Sequence, residues 1–223
     1  MDDEFRNRLR TILEAGFDDI LTTNYSYELE IAASDKTEVS DYYLNQIRRT
    51  TKKDRKAEGR LFIHTYNEVT YKGVSNRIWH IHGAAKNPSS MVIGHPYYGD
   101  LISKYDDYLK SVGNGYAINP DLNNSWIDSF IMGDVYILGL SLDPSEMDLW
   151  WLIDRKCREK SEHGGVNFYV PKWEHEKNIE KFELMNCYEV EKIEINNKWD
   201  KSWEDKDYKR YYEEALKKII YLR

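Results

Sequence analysis

Residues 134–160, DVYILGLSLDPSEMDLWWLIDRKCREK, contain the clearest strand–loop–helix unit in the chain. Val135, Tyr136, Ile137 and Leu138 form a compact apolar run of the length expected for a buried strand. Gly139-Leu140-Ser141 follows at the strand's end. Asp143-Pro144-Ser145-Glu146 then carries the marks of a helix start: an acidic N-cap, a proline at the first position and a glutamate at the third. The helix beyond is apolar on more than one face, which predicts packing against a sheet and a second partner. A strand, a short turn and a helix in this order are the building unit of an α/β fold.

The alternation extends in both directions. Toward the N-terminus, Phe5, Leu9, Ile12 and Leu13 recur at helical spacing, with Gly16 as the C-terminal cap. DDILTTNY (18–25) reads as a short buried strand with a polar tip, and SYELEIAAS (26–34) as a helix with Ser26 as N-cap. RLFIHTY (60–66) and RIWHIHG (77–83) are β-rich runs separated by a turn at Gly73, and SMVIG (90–94) is a third short run. YYGDLISKYDDYLKSV (97–112) fits a helix, NGYAINPDLNN (114–124) a loop, and SWIDSFI (125–131) a short helix. Toward the C-terminus come a strand at GVNFYVP (165–171), a helix over 174–184, an alternating run YEVEKIEI (188–195) and a terminal helix over 206–221.

The expectation is a single α/β domain over residues 1–223, with a Rossmann-like, mainly parallel sheet and helices on both faces. Strands are expected near 19–23, 77–82, 135–139 and 166–170. A charged helical or loop insertion interrupts the pattern near 35–60. Its Arg48, Arg49, Lys52, Lys53, Arg55 and Lys56 form a basic cluster without interleaved aromatics. It reads as a solvated helix end or mobile insertion rather than a nucleic-acid patch.

Composition narrows the functional classes. Hydrophobic residues at 41% and charged residues at 32% suit a soluble globular chain with a sizeable core. The net charge of −7 argues against general binding to nucleic acid or anionic membranes. Only Cys157 and Cys187 occur, which excludes a disulfide framework and a four-cysteine zinc site. The opening MDDEFRNRLR has no apolar signal core, and no stretch nears the ~18 apolar residues of a membrane span. A reduced, cytoplasmic protein without a membrane partner is expected.

In α/β sheets, ligands bind beyond the carboxyl ends of the strands. Three segments put polar groups there: Thr22-Thr23-Asn24, His80-Ile81-His82-Gly83 and Gly139-Leu140-Ser141-Leu142-Asp143. If residues 77–83 continue as a strand, His80 and His82 share one face. A neutral imidazole can accept a hydroxyl proton near pH 7, a glycine lets a nucleotide approach the backbone, and an amide can hold a water. Each residue also has a structural reading. Asn24 serves equally well as a turn cap, and Asp143 fits an N-cap better than a ribose contact. His80 reads as a structural or orienting neighbour of His82. The two as metal ligands is a minority reading, because no second ligand motif follows. His64, His95, His163 and His175 read as surface or turn residues, and Trp150-Trp151 as core.

The three segments, in this order, resemble the sirtuin-like NAD-binding family in its compact bacterial branch. Members carry Thr-x-Asn after an early strand, His-Gly after a later one and Gly-x-Ser nearer the C-terminus. The resemblance covers roughly residues 18–155 and is strongest in WHIHG and YILGLSLDPSEMDLWW. It implies NAD as substrate or ligand, and an NAD hydrolase activity that cleaves the nicotinamide–ribose bond, often as part of anti-phage defence. Asn24 and His82 would then be catalytic, with Thr22, Thr23, Gly83, Gly139, Ser141 and Asp143 lining the nucleotide.

Two departures qualify what the resemblance implies. The glycine-rich turn that cradles the pyrophosphate in relatives is missing, since the only early glycine is Gly16. Ser26 stands where relatives often carry aspartate, and the paired CxxC motifs of protein deacylases are absent. Weak NAD binding by this chain alone is therefore expected, with a homo-oligomer or partner chain as the remaining partner. Two alternatives stay open: a non-catalytic remnant acting as an interaction or nucleotide-sensing module, and a metal-dependent hydrolase built on His80 and His82.

Overall fold

The structure, a computed structural model, describes residues 1–34, 36–51, 61–112, 125–159, 164–175, 178–195 and 206–222. The chain forms two compact units, Met1–Ser129 and Phe130–Arg223. Both are of the α/β class. Among the described residues no helix is long and apolar enough to cross a membrane.

The first unit opens with α1 (Asp3–Glu14), capped by Asp2, whose Oδ1 accepts from the Phe5 amide at 2.7 Å. The helix ends at Ala15, and Gly16 turns the chain at φ +69°. β1 (Asp19–Thr22), α2 (Glu28–Ala33), α3 (Asp41–Ile47), β2 (Arg48–Thr50), β3 (Thr65–Tyr71) and β4 (Val74–His80) follow. Their sheet has the order β1-β4-β3-β2. β1 runs parallel to β4 in the register Asp19↔Arg77 to Thr22↔His80, whereas β2, β3 and β4 pair antiparallel.

This sheet is therefore mixed. The cause is local: Lys72 and Gly73, at φ +49° and +83°, make a two-residue turn of the kind that joins antiparallel strands. Leu13, Ile20, Ala32, Val69 and Ile78 form a buried cluster between the helices and the sheet. At the start of β1, the Asp19 carboxylate accepts from Trp79 Nε1 at 2.6 Å, from Arg77 at 2.8 Å and from the Ser129 hydroxyl. α4 (His95–Val112) and α5 (Trp126–Met132) come next. Ser125 and Asp128 cap α5 reciprocally: Ser125 Oγ accepts from the Ile127 amide, and Asp128 Oδ2 accepts from the Ser125 amide.

The second unit is a parallel three-stranded sheet, β5 (Val135–Ile137), β6 (Val166–Pro171) and β7 (Val190–Ile195), in that spatial order. α6 (Met147–Arg158) connects the first pair of strands. α7 (Lys172–His175) and α8 (Ile179–Cys187) connect the second, and α9 (Lys206–Leu222) follows β7. Phe168, Tyr169, Leu152, Phe182, Leu216 and Ile219 are buried in its core. Lys156, near the end of α6, is also buried. Its Nζ donates to the Ile131 and Gly133 carbonyls at 2.8 and 2.7 Å, at the C-terminus of α5. Burial pulls its pKa down to about 8, although the charge of Asp134 works the other way.

Several expectations are corrected. Residues 91–94 form no strand; a single 3₁₀ turn, Pro88–Ser90, precedes them. The helix expected over 174–184 is two helices, α7 and α8. His64 is buried, with Nδ1 3.1 Å from Thr51 Oγ1, rather than at the surface. Ser26 does not cap α2; its hydroxyl bonds Glu28 instead. The loop at 114–124, His163, the side chain of His175 and residues 52–60 of the insertion lie outside the described residues.

Candidate functional site

Parallel pairing of β1 and β4 brings the chain out of both strands at one edge. The loops beyond are tied together there: Ile81 N donates to Thr22 O at 3.1 Å, Ala85 N to Tyr25 O at 2.8 Å, and Tyr25 Oη to Val92 O at 2.7 Å. Thr22 Oγ1 accepts from the Asn24 amide at 3.1 Å and so shapes the first turn. Thr23 is half-buried, and Asn24 is exposed.

His80 ends β4, and Gly83 N donates back to its carbonyl at 3.0 Å. The strand therefore stops before His82, and the alternation that would place both histidines on one strand face does not apply. His82 is only 3% exposed, with its ring edge-on to Tyr98 at 5.5 Å. Gly83 lies at φ +89°, and a β-carbon there would stand 2.2 Å from the Ser90 carbonyl oxygen. This glycine is demanded by the chain's own backbone.

His80 has a partner on each nitrogen. Nδ1 is 3.1 Å from the Asn24 carbonyl oxygen, and Nε2 is 2.9 Å from Oε1 of the buried Glu30. Asn67 Nδ2 donates to the same Glu30 oxygen at 2.7 Å. Burial works against a charge on the ring. The hydrogen bond and charge of Glu30, with the Asn24 carbonyl and Glu28 behind them, outweigh it and hold the imidazole above the ordinary histidine value. With both nitrogens facing acceptors, His80 offers no lone pair to a metal. Among the described residues no trio of His, Cys, Asp or Glu comes together as a metal site. A cavity of about 20 Å³ borders His80, lined by Tyr27, Arg48, Thr65, Asn67 and Ala84 among others. That is room for a water rather than a nucleotide.

Gly139, Ser141 and Asp143 belong to the second unit. Gly139 lies at φ +70°, with the phenol of Tyr212 from α9 directly against it. Ser141 and Asp143 are exposed and come together, the hydroxyl donating to Asp143 Oδ2 at 2.9 Å. Asp143 is thus not the N-cap of α6, which starts four residues later at Met147. Lys181 Nζ donates to the Ser141 carbonyl at 2.7 Å and places a cation beside the loop.

Sequence reasoning missed Glu30, Asn67, Lys181 and Tyr212. The one available signal was a carboxylate set between Leu29 and Ile31 in an apolar helix, but nothing local pairs it with a histidine fifty positions on. Compared with known proteins, the chain matches no protein-family model, no curated protein and no solved structure, so the sirtuin-like resemblance rests on the motif residues themselves.

Proposed function

We propose that the chain is a sirtuin-like, NAD-binding domain related to the NAD-cleaving enzymes of bacterial anti-phage defence, with Asn24 and His82 at its centre. The observation that carries this reading is the parallel register of β1 and β4, which delivers Thr22-Thr23-Asn24 and His80–Gly83 to a single strand edge. Strand edges of this kind are where α/β sheets take ligands. The exposed Asn24 amide can both donate and accept, and the exposed Ser141–Asp143 pair suits ribose hydroxyls.

The glycines fit a nucleotide less well. Gly83 faces the Ser90 backbone and Gly139 faces Tyr212, and no glycine-rich turn offers amides to a diphosphate. The chain by itself should therefore bind NAD with a Kd on the order of 1 mM or above, about 4 kcal/mol. Robust cleavage should need a complementary segment from a partner chain or a second copy. Calorimetric titration with NAD, together with release of free nicotinamide, tests both points. Micromolar binding by the chain alone would place the phosphate site elsewhere, and cleavage that survives Asn24→Ala and His82→Ala would remove both residues from the centre.

The covering of the two glycines and the burial of His82 favour a second reading, a nucleotide-sensing or interaction module without catalysis. Its signature is NAD or ADP-ribose binding with no nicotinamide released, with or without a partner.

A further inference from the structure

A carbonyl oxygen and a carboxylate can only accept hydrogen bonds, so the two partners of His80 are both satisfied only when the ring carries two protons. A neutral ring would satisfy one partner and turn a lone pair toward the other. The carboxylate side is anchored. Glu30 is fully buried in α2, and Asn67 of β3 donates to the same oxygen. The other end of the ring holds the main chain of Asn24, in the loop that leaves β1. The imidazolium thus joins a buried glutamate of α2 to the loop that carries the exposed Asn24 side chain.

We infer that His80, paired with Glu30, is a positioning residue that sets the backbone of the Asn24 loop through its Nδ1–H bond to the Asn24 carbonyl. The consequence for NAD cleavage rests on the proposed role of Asn24; the latch itself does not. Glu30 and Glu28 face the ring from α2, the Tyr27 ring lies 4.9 Å away, and Arg48 at the start of β2 shares the cavity beside it. The two glutamates favour the charge, whereas burial opposes it. Loss of the Nδ1 proton breaks the bond to the loop, and the raised ring pKa puts that event above the ordinary histidine range.

The test is a pH titration of the ¹⁵N-labelled full chain by nuclear magnetic resonance, following the His80 ring nitrogens and the Asn24 and Tyr25 amides. The expected result is a ring midpoint above the ordinary histidine value, with the two amides shifting at that same midpoint. In Glu30→Gln that midpoint should fall, because the hydrogen bond and charge of Glu30 are what raise it. A ring midpoint at or below the ordinary histidine value, or amides that ignore the ring's titration, would overturn the inference. If Glu30→Gln fails to fold, the wild-type titration decides alone. In the cleavage assay, Glu30→Gln should lower kcat roughly 10–100-fold with KM little changed. A chain that cleaves no NAD even when a complementary partner segment is supplied sinks the functional reading and leaves the titration to judge the latch. Cleavage with no coupled titration does the reverse.

Discussion

Gly139 lies directly beneath the phenol of Tyr212: a β-carbon on the glycine would stand 2.6 Å from Tyr212 Oη and 2.9 Å from its Cε1. The chain's own C-terminal helix occupies the place where the sequence suggests a nucleotide.

Gly139→Ala should therefore lose roughly 2–4 kcal/mol, combining a left-handed backbone cost of ~1 kcal/mol with overpacking against Tyr212. In Gly139→Ala/Tyr212→Ala the overpacking disappears and the backbone cost stays. A double-mutant cycle from urea midpoints should show a coupling of about 1 kcal/mol or more. A coupling near zero would mean that α9 does not rest on this glycine.

Asp19 anchors the first strand by accepting from Trp79, Arg77 and Ser129 while its side chain is only 5% exposed. Asp19→Ala strands a buried indole N–H and a guanidinium, and should destabilise the first unit by about 3–5 kcal/mol. Asp19→Asn keeps one acceptor and should fall between the two. Circular dichroism during urea unfolding reads the order wild type, Asn, Ala.

Lys156 yields a pH signature. Its pKa is about 8 in the folded chain and near the ordinary 10.5 when unfolded. Below about pH 8 both states hold the proton and the burden of burying it is constant. Between about 8 and 10.5 the unfolded chain binds more protons, so this residue's contribution to stability rises with pH. Lys156→Met removes the dependence. The stability difference, wild type minus variant, should grow from pH 8 to pH 10. Tyr169, pushed up to about 12 by burial, acts oppositely at higher pH but equally in both proteins. A difference that stays flat would place the lysine in contact with water.

The apolar runs were legible because their buried positions, Ile20, Ile78, Ile137 and Phe168 among them, call for apolar side chains. The expected strands at 19–23, 77–82, 135–139 and 166–170 correspond to β1, β4, β5 and β6. β2, Arg48–Thr50, was not legible, since its three residues carry two charges and none is buried. Gly83 and Gly139 read in the sequence as positions where a nucleotide comes close to the backbone, and both lie in the left-handed region. What comes close to them is the chain's own Ser90 and Tyr212, which the sequence does not distinguish from a ligand. His80 reads in the sequence as a structural or orienting neighbour, and its ring meets the Asn24 carbonyl and Glu30, a carboxylate from a helix fifty residues earlier that no local pattern announces.

The mixed pairing of β4 also sets an order of assembly. The Lys72-Gly73 turn closes β3 onto β4 within a few residues, a step of ~1–10 μs. The pairing of β1 with β4 joins Asp19 to Arg77, 58 residues apart, and must wait on a long loop closure. The hairpin is then a template already standing when β1 arrives, and the edge bearing Asn24 is completed late. Pulse-labelled hydrogen exchange during refolding should protect the β3–β4 amides before those that β1 donates or covers. A newly made or heat-stressed chain would therefore hold its hairpin before the Asn24 edge is in place.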